Sequence, residues 1–462
     1  MDRGAPRLTV RIPASYAAER EYVVRVLFEE FLGLRADVVV ADVSATVITV
    51  AGGDRQLVLG DGLFSTAPDA WLSERSLPPT PLPSFELGGT PFAAHPERSL
   101  PVLYGAPSWR HDDTTLELGV DILGGAFYLL TRYEEVVLAD RDEHERFPAS
   151  ANVMVREGLV RRPLVNEYLE LLWLALETQW PSLPRRRSAY SLVPSHDVDW
   201  PLAAERTFGR VARRAAGDVV RSRDSAAAAR RFAGYAMRLA GRHDADVNNT
   251  FDAIMDASEL NGLRSAFYFI AGRRAGHIDG DYSLDDPWIR SLLRRIHRRG
   301  HEIGLHASYT TPVDPDQTRT ERDTLLRVLD EEGIVQERLG SRQHFLRWSN
   351  PQTWRNCEEA GIDYDTTLGF SDEIGFRAGT CLEYPVFDLR RRLQLRLREL
   401  PLIVMEGAVL DRLGLDSEGA SQAIAELRRT CERYGGTFTL LWHNSRLVHR
   451  TERRLYFDAL RR

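Results

Sequence analysis

The chain has 462 residues, with 43% hydrophobic residues, 27% charged residues and a formal net charge of -7 at pH 7. This length is too great for one ordinary core, so two domains are expected, and the composition is that of a soluble globular protein. The acidic balance gives no reason to expect nucleic acid or an anionic membrane as a partner.

Three cysteines without close spacing, Cys357, Cys381 and Cys431, exclude a disulfide framework and a zinc knuckle, and they fit a reducing compartment. The first seven residues, Met-Asp-Arg-Gly-Ala-Pro-Arg, lack the apolar core of a signal peptide. No stretch approaches the roughly 18 uninterrupted apolar residues of a membrane span. We therefore expect a cytoplasmic protein without a membrane span, and no pattern predicts an oligomeric state.

The first 185 residues are expected to form a small α/β domain, because short strand patterns surround amphipathic helix patterns. Strands are predicted at 8–13, 36–41 and 46–51, and helices at 15–33, 121–133 and 166–176. A proline-rich loop at 77–84 lies between the elements predicted at 8–51 and those predicted at 121–176. No residues in this domain converge on a chemical task, so its role is not predicted.

From residue 186 to residue 462, strand and helix patterns alternate. Strands are predicted at 190–193, 265–271, 302–306, 342–348, 393–397, 400–405 and 436–443, and helices at 250–261, 287–299, 316–332, 351–360 and 422–434. The Ala- and Arg-rich stretch 203–242 is predicted to be an amphipathic cover helix; an RNA-binding helix fits the acidic total less well. The repeated strand-then-helix order predicts a parallel sheet or barrel.

Polar residues stand where several of these predicted strands end. Asp197 and Asp199 follow one strand, His306 ends another, and His443 ends the last. Because the carboxyl ends of the strands form the active face of a βα barrel, these residues are expected to meet there. Several strands that each end in a possible acid, base or ligand argue for an enzyme.

The pair of carboxylates at Asp197 and Asp199 has two interpretations. Residues two apart at a strand end point to the same side, and like charges so close resist joint ionisation unless a cation neutralises one of them. One interpretation is therefore a metal ligand beside a base. The other is a turn with an Asx cap before a helix, and the pair alone does not decide between them.

Four motifs from about residue 188 to 450 make this part of the chain resemble the polysaccharide deacetylase superfamily, also called the NodB homology domain or carbohydrate esterase family four. The motifs are Ser-His-Asp-Val-Asp at 195–199, Gly-His-Glu-Ile-Gly-Leu-His at 300–306, Arg-Gln-His at 342–344 and Leu-Leu-Trp-His at 440–443. Marks shared with a subgroup that has a separate N-terminal domain are Asp-Ile at 121–122, Arg-Tyr-Glu-Glu at 132–135 and Gly-Phe-Arg-Ala-Gly-Thr at 375–380.

The resemblance implies a distorted (β/α)7-type barrel over residues 186–462, preceded by the smaller α/β domain of residues 1–185. It also implies a hydrolase that removes an acetyl group from an N-acetylated or O-acetylated sugar or polysaccharide precursor. The reaction is assisted by a divalent metal, usually zinc. An amide is a poor electrophile, and a Lewis acid that polarises its carbonyl suits this chemistry independently of the resemblance.

The resemblance assigns a role to each motif residue. By matching position, Asp197 is the general base, Asp199 and His306 are metal ligands, His443 is the general acid and Arg342 holds Asp197 in place. Imidazole nitrogen together with carboxylate oxygen suits zinc or a neighbouring first-row metal. His443 has a structural alternative, in which it merely closes a buried strand.

One position departs from the family pattern. The family carries a second histidine four residues after the first, and here that position is Thr310. His344 is the candidate for the missing third ligand, because residues two apart on a strand share a face and Arg342 is expected to reach Asp197. The alternatives are that His344 contacts the metal's water or is simply a hydrogen-bonded histidine inside the barrel.

Two further residues are candidates for substrate binding. Arg377, in a loop flanked by glycines, either binds an acidic sugar or bonds a backbone carbonyl. Trp348 belongs to a group of aromatic residues that either stack on a sugar or fill the core.

Three functions remain open on the sequence. The first is the metal-dependent carbohydrate deacetylase, acting on a nucleotide- or lipid-linked sugar or on a glycan precursor. The second is a catalytically inactive relative that serves as a binding or assembly module in glycan biosynthesis, and Thr310 favours it. The third is a metal-dependent hydrolase of a non-sugar amide, which would share the site and differ in the pocket.

Overall fold

The computed structural model describes residues 7–203, 207–220 and 223–461, so the first six of the seven residues considered above as a signal peptide lie outside it. The chain divides into two compact units. The first contains the described residues up to 190 together with 375–401 and 430–436, and the second contains 191–374, 402–429 and the residues from 437 onward. A single boundary at residue 185 therefore does not separate the units, because two later segments belong to the first.

The first unit contains a six-stranded mixed sheet. Its strands lie in the order Ala36–Val40, Leu8–Ile12, Thr46–Val50, Gln56–Leu59, Thr115–Val120 and Gly105–His111. Two antiparallel pairs accompany it, Ser84–Glu86 with Ser99–Pro101 and Tyr384–Asp388 with Leu393–Glu399. The strand predicted at 393–397 is thus half of a hairpin in this unit and has an antiparallel partner, unlike the parallel strands described below.

The helices of the first unit pack apolar faces inward. They are Ala17–Val24, which continues as the π-helix Arg25–Phe31, and Ile122–Leu130, Glu134–Val137, Val153–Arg156 and Leu164–Gln179. All nine residues of Ile122–Leu130 are buried. Asp121 caps this helix, because its side chain accepts a hydrogen bond of 2.7 Å from the backbone N–H of Gly124.

The second unit contains seven strands in one sheet, and each is parallel to its neighbours. Their order is Tyr364–Asp365, Gly340–Gln343, Glu302–Ala307, Ala266–Ile270, Ser191–Val198, Thr437–Leu441 and Val404–Met405. The α/β class predicted from the alternating pattern is confirmed. The described pairings join the strands in an open order, so closure into a barrel stays a prediction.

Helices connect and cover the parallel strands. They are Phe208–Val220, Ser225–Leu239, Phe251–Leu260, Pro287–Arg298, Pro315–Glu331, Gln352–Glu359, Ser417–Arg433 and Arg450–Leu460. The stretch predicted as one helix at 203–242 forms two, and residues 204–206 and 221–222 of it lie outside the described residues. None of the helices in the described residues combines the length and hydropathy that a membrane crossing needs.

Register fixes which residues meet at the carboxyl edge of the parallel sheet. Asp197 is paired with Tyr268, and His306 is paired with Ile270 on one side and with Arg342 on the other. Because these strands run in the same direction, the residues that follow them come out at the same edge. The sheet therefore brings Asp199, His306 and the residues after Gln343 to one place.

The strand predicted at 342–348 is wrong beyond its first residues. The strand Gly340–Gln343 ends before His344, and His344–Leu346 forms a short 3-10 turn. Phe345 and Leu346 have positive φ values of 62° and 52°, in the left-handed region that β-branched and bulky residues rarely adopt. A turn, and not strand alternation, therefore sets the direction of the His344 side chain.

Candidate metal centre and active site

Three side chains, each from the end of a different strand, converge at the carboxyl edge of the parallel sheet. Their ligand atoms, one each from Asp199, His306 and His344, all lie within 4.8 Å of one another. The Oδ1 atom of Asp199 is 3.2 Å from Nε2 of His306 and 3.5 Å from Nε2 of His344. One carboxylate oxygen and two imidazole nitrogens thus face a common point.

The hydrogen bond of His306 fixes which of its nitrogens faces that point as a ligand. Its Nδ1 atom lies 2.9 Å from the backbone carbonyl oxygen of Arg342, and a carbonyl can only accept. Nδ1 therefore carries the proton and donates it, which leaves Nε2 with a free lone pair. The ring is 1% exposed, so the protein and not solvent sets this arrangement.

His344 is held in the same way by a buried carboxylate. Its Nδ1 atom lies 3.2 Å from Oδ1 of Asp279, a residue with no exposed surface. Asp279 is itself fixed, because it accepts hydrogen bonds from the backbone N–H groups of Tyr309 at 2.9 Å and Ala275 at 2.8 Å. A carboxylate that orients an imidazole and leaves Nε2 for a metal is the usual support of a histidine ligand.

Two polar atoms at the centre of the cluster are placed to bind a cation. Oδ1 of Asp199 and Nε2 of His306 are buried, and neither has a hydrogen-bond partner among the described residues. Buried polar atoms without partners are costly, and a metal shared between them would remove that cost. One carboxylate and two imidazoles with a fourth position open is the donor set of a catalytic zinc site.

The charges around the cluster also shift its pKa values. Burial acts to raise the pKa of Asp199, but the adjacent His344, His306 and His443 hold it well below its usual value. Burial acts to lower the pKa of His344, whereas Asp199 and Asp279 raise it to about 9. In the protein alone, positive charge is therefore drawn to the point that a divalent cation would occupy.

Asp197 lies beside the cluster and is bound to Arg342. Its Oδ1 atom accepts a hydrogen bond of 3.1 Å from Nη1 of Arg342, and its Oδ2 atom lies 3.7 Å from Nε2 of His306. The Arg342 guanidinium is fully buried and also donates to the Ser195 hydroxyl at 2.9 Å and the Thr366 carbonyl at 3.0 Å. Arg342 thus fixes one oxygen of Asp197 and leaves the other facing the cluster.

His443 approaches the cluster from the opposite oxygen of Asp199. Its Nε2 atom lies 3.5 Å from Oδ2 of Asp199, and its Nδ1 atom bonds to Oε1 of Glu406. Burial acts to lower the pKa of His443, whereas Glu406 and Asp199 raise it to about 10. Since its side chain is 22% exposed, His443 combines a buried carboxylate partner with access to solvent.

The sequence-based prediction missed both carboxylates that support these histidines. Glu406 directly follows the strand Val404–Met405, so it stands at a strand end like Asp199, and the same rule could have identified it. Asp279 lies in the turn Gly276–Asp279, well beyond the strand Ala266–Ile270, and no local pattern pointed to it.

The substrate-binding candidates and Thr310 lie elsewhere in the structure. Trp348 is 2% exposed and packs edge-on against Trp354, with ring centroids 4.7 Å apart. Arg377 belongs to the first unit and is 2% exposed, and its Nη2 atom donates to Glu135 at 2.6 Å. Thr310 is half-buried, with its hydroxyl oxygen unbonded among the described residues. The structure does not bring these three residues into the metal cluster.

A model of a protein family of unknown function, DUF7033, matches residues 8–181. No curated protein matches the chain in sequence. The subgroup resemblance predicted from the N-terminal marks therefore stays a prediction.

Solved structures that resemble the chain are described as hydrolases. One, described as a polysaccharide deacetylase from Mycobacterium smegmatis, is 16% identical with a TM-score of 0.37, over 59% of this chain and 83% of its own. A second, described as a polysaccharide deacetylase from Pseudomonas aeruginosa, is 14% identical with a TM-score of 0.34, over 59% of this chain and 84% of its own. The PuuE allantoinase is 11% identical with a TM-score of 0.34, over 59% and 82%. These identities and scores are low, so the functions of these proteins are not transferred to this chain.

Proposed function

We propose that this protein is a metal-dependent hydrolase that removes an acetyl group from an N-acetylated or O-acetylated sugar. The convergence of Asp199, His306 and His344 on one point, with Asp197 on one side and His443 on the other, carries this proposal. A ligand set, a base and an acid within a few ångströms are what amide hydrolysis needs.

Asp199, His306 and His344 would hold the metal, which is zinc or a neighbouring first-row metal by the chemistry of the donors. When bound, it polarises the acyl carbonyl and lowers the pKa of water at the site. The free oxygen of Asp197 would take the proton of the attacking water, because Arg342 occupies only its other oxygen. Arg342 therefore acts as a positioning residue.

His443 would supply the proton that the leaving group needs. The water oxygen bonds to the acyl carbon, the carbon–nitrogen bond breaks, and Nε2 of His443 gives its proton to the departing nitrogen. Acetic acid and a free amine result, and the proton taken by Asp197 passes to His443, so that both residues return to their starting states. Glu406 keeps the ring of His443 oriented through Nδ1 throughout.

A non-catalytic binding module is the alternative that the sequence favoured through Thr310. His344 favours the enzyme over the binding module, because its ligand atom lies within 4.8 Å of those of Asp199 and His306 and can serve as the third ligand. A binding module also has no evident use for an acid and a base on opposite sides of a metal site. The sugar as substrate and the cytoplasm as location rest on the resemblance and the composition, and both are part of the proposal.

The proposal is tested by metal analysis and acetate release on the same preparation. Protein made without added zinc should carry close to one divalent metal per chain, and the Asp199→Asn variant should carry almost none. Acetate should be released from N-acetylated sugars faster than from a non-sugar acetamide. Bound metal without acetate release from any substrate would support the binding module, and faster turnover of the acetamide would support the non-sugar hydrolase.

A further inference from the structure

Two adjoining cavities lie in the second unit, next to the proposed active site. The smaller has a volume of about 420 Å³ and the larger about 690 Å³. Both are lined by Arg214, Arg231 and His449, so they are continuous along one wall. Their volumes fall in the range of small-molecule sites, roughly 300–1,000 Å³.

Residues next in sequence to Asp199 and His443 connect the smaller cavity to the proposed active site. Trp200, which lines the cavity, follows Asp199 in the chain. Its carbonyl oxygen accepts hydrogen bonds from the side-chain amides of Asn444 at 3.0 Å and Asn248 at 3.2 Å. Asn444 follows His443, so one hydrogen-bonded group links the wall of the cavity to both sides of the cluster.

Arg446 makes a second link between the cavity and the acid. It lines the smaller cavity, and its Nε atom lies 4.0 Å from Oε1 of Glu406, the carboxylate that orients His443. Arg446 also pairs with Asp411 and lies 3.8 Å from Glu452, so carboxylates hold it in place at the wall.

The lining of the two cavities is positive in a protein whose net charge is -7. Four arginines line them, Arg213, Arg214, Arg231 and Arg446, against two carboxylates, Asp218 and Glu452. Arg231 is bound to Asp218 through two hydrogen bonds of 2.9 and 3.3 Å, which offsets part of this charge. His449, whose Nδ1 atom is buried without a hydrogen-bond partner in the described residues, adds a further polar group to the shared wall.

We propose that these cavities bind a phosphate or diphosphate group carried by the substrate, so that the enzyme acts on a phosphorylated or nucleotide-linked acetylated sugar. This inference rests on the proposed function for the reaction and on the arginines for the anion. Guanidinium groups match phosphate oxygens in geometry and charge. The electrostatic attraction between them is stronger in a concave positive site than at an open surface. The acyl group would reach the metal cluster while the phosphate lies beyond Trp200.

The test compares one sugar with and without phosphate. The substrates are N-acetylglucosamine, N-acetylglucosamine 1-phosphate and UDP-N-acetylglucosamine, and the last two distinguish a bare phosphate from a nucleotide as the anion. The variant is Arg214→Gln, because Arg214 is exposed and lines both cavities. The matched control is Arg210→Gln, on the same helix, exposed and outside both linings.

We expect a lower KM for the phosphorylated sugars than for the neutral sugar. Arg214→Gln should raise the KM for the phosphorylated sugars about tenfold, because one charge-assisted contact is lost. The KM for the neutral sugar should change by less than about twofold. The control should change neither value. Equal KM values for neutral and phosphorylated sugars, or equal effects of the two variants, would overturn the anion site.

Equilibrium binding separates this inference from the proposed reaction. Binding of N-acetylglucosamine 1-phosphate to the whole protein is measured by calorimetry. The affinity should fall with added salt, and the Arg214→Gln variant should bind about tenfold more weakly than the unchanged protein. If this binding holds while no substrate releases acetate, the anion site stands and the proposed reaction fails. If acetate is released from all three sugars without phosphate-dependent binding, the reaction stands and the anion site fails.

Discussion

The Nδ1 atom of His344 lies 3.2 Å from Oδ1 of Asp279, and that carboxylate has no surface exposed to solvent. Burial acts to raise the pKa of Asp279, but its hydrogen bonds with His344, Tyr309 and Ala275 hold it below the usual value. The pair therefore places an oriented imidazole beside Asp199 and His306.

Asp279→Asn should weaken metal binding without removing a ligand. Loss of a carboxylate behind a ligating histidine typically costs about 10–100-fold in metal affinity. The measurement is zinc affinity by competition with a chromophoric chelator. The control is Asp316→Asn, at an exposed carboxylate whose side chain is 84% accessible. Unchanged affinity in Asp279→Asn would mean that His344 does not bind the metal through Nε2.

Asp197→Asn and Asp199→Asn should differ in metal content. Asp197 is held by Arg342 and is proposed as the base, so its variant should keep the metal and lose acetate release. Asp199 supplies the carboxylate oxygen of the cluster, so its variant should lose both. Elemental analysis and an acetate assay on the two purified proteins make the comparison. Equal metal loss in the two variants would contradict the division of roles.

His443→Ala should slow an amide substrate more than an activated ester. An amine needs a proton to leave and a phenolate does not, and general acid catalysis contributes roughly 10²–10⁴-fold. Steady-state rates on an acetylated amino sugar and on a phenyl acetate give the two factors. If both substrates slow equally, His443 positions the substrate and donates no proton.

Glu406→Gln should act on the same step as His443→Ala, and less strongly. Glutamine can still accept the hydrogen bond from Nδ1 of His443 but carries no charge, so the ring stays oriented and loses its electrostatic support. The ratio of the amide rate to the ester rate should fall in this variant too. An unchanged ratio would show that Glu406 has only a structural part.

Arg377→Met should destabilise the protein and leave substrate binding unchanged. Arg377 is buried against Glu135, and removing one partner of a buried ion pair costs about 3–5 kcal/mol. Chemical denaturation gives the free energy of unfolding, and Arg390→Met, an exposed arginine in the same unit, is the control. A raised KM with unchanged stability would restore Arg377 as a substrate ligand.

The residue types and spacing predicted much of the site, because the ends of parallel strands meet at one edge. Asp199 and His306 could be placed together from strand patterns alone. His344 was placed there by an argument from strand alternation, but the strand ends at Gln343 and a turn with positive φ at Phe345 directs the ring. The role of His344 as a ligand stays a prediction, and the argument from strand alternation is wrong because the residue lies in a turn.

What the sequence could not predict depends on contacts between distant segments. Asp279 reaches His344 across 65 residues, and Glu406 reaches His443 across 37, so neither pair has a local pattern. The full extent of the first unit could not be predicted for the same reason, since segments 375–401 and 430–436 join it from far along the chain. Periodicity reports which face of an element is buried, and it does not report against which partner.

A crystal structure of the protein with zinc, using the anomalous signal of the metal, tests the central claim most directly. We predict one peak about 2.0–2.1 Å from Nε2 of His306 and of His344, and about 2.0–2.2 Å from a carboxylate oxygen of Asp199. A peak bound by Asp199 and His306 with the His344 ring turned away, or with Thr310 and water in its place, would contradict the account.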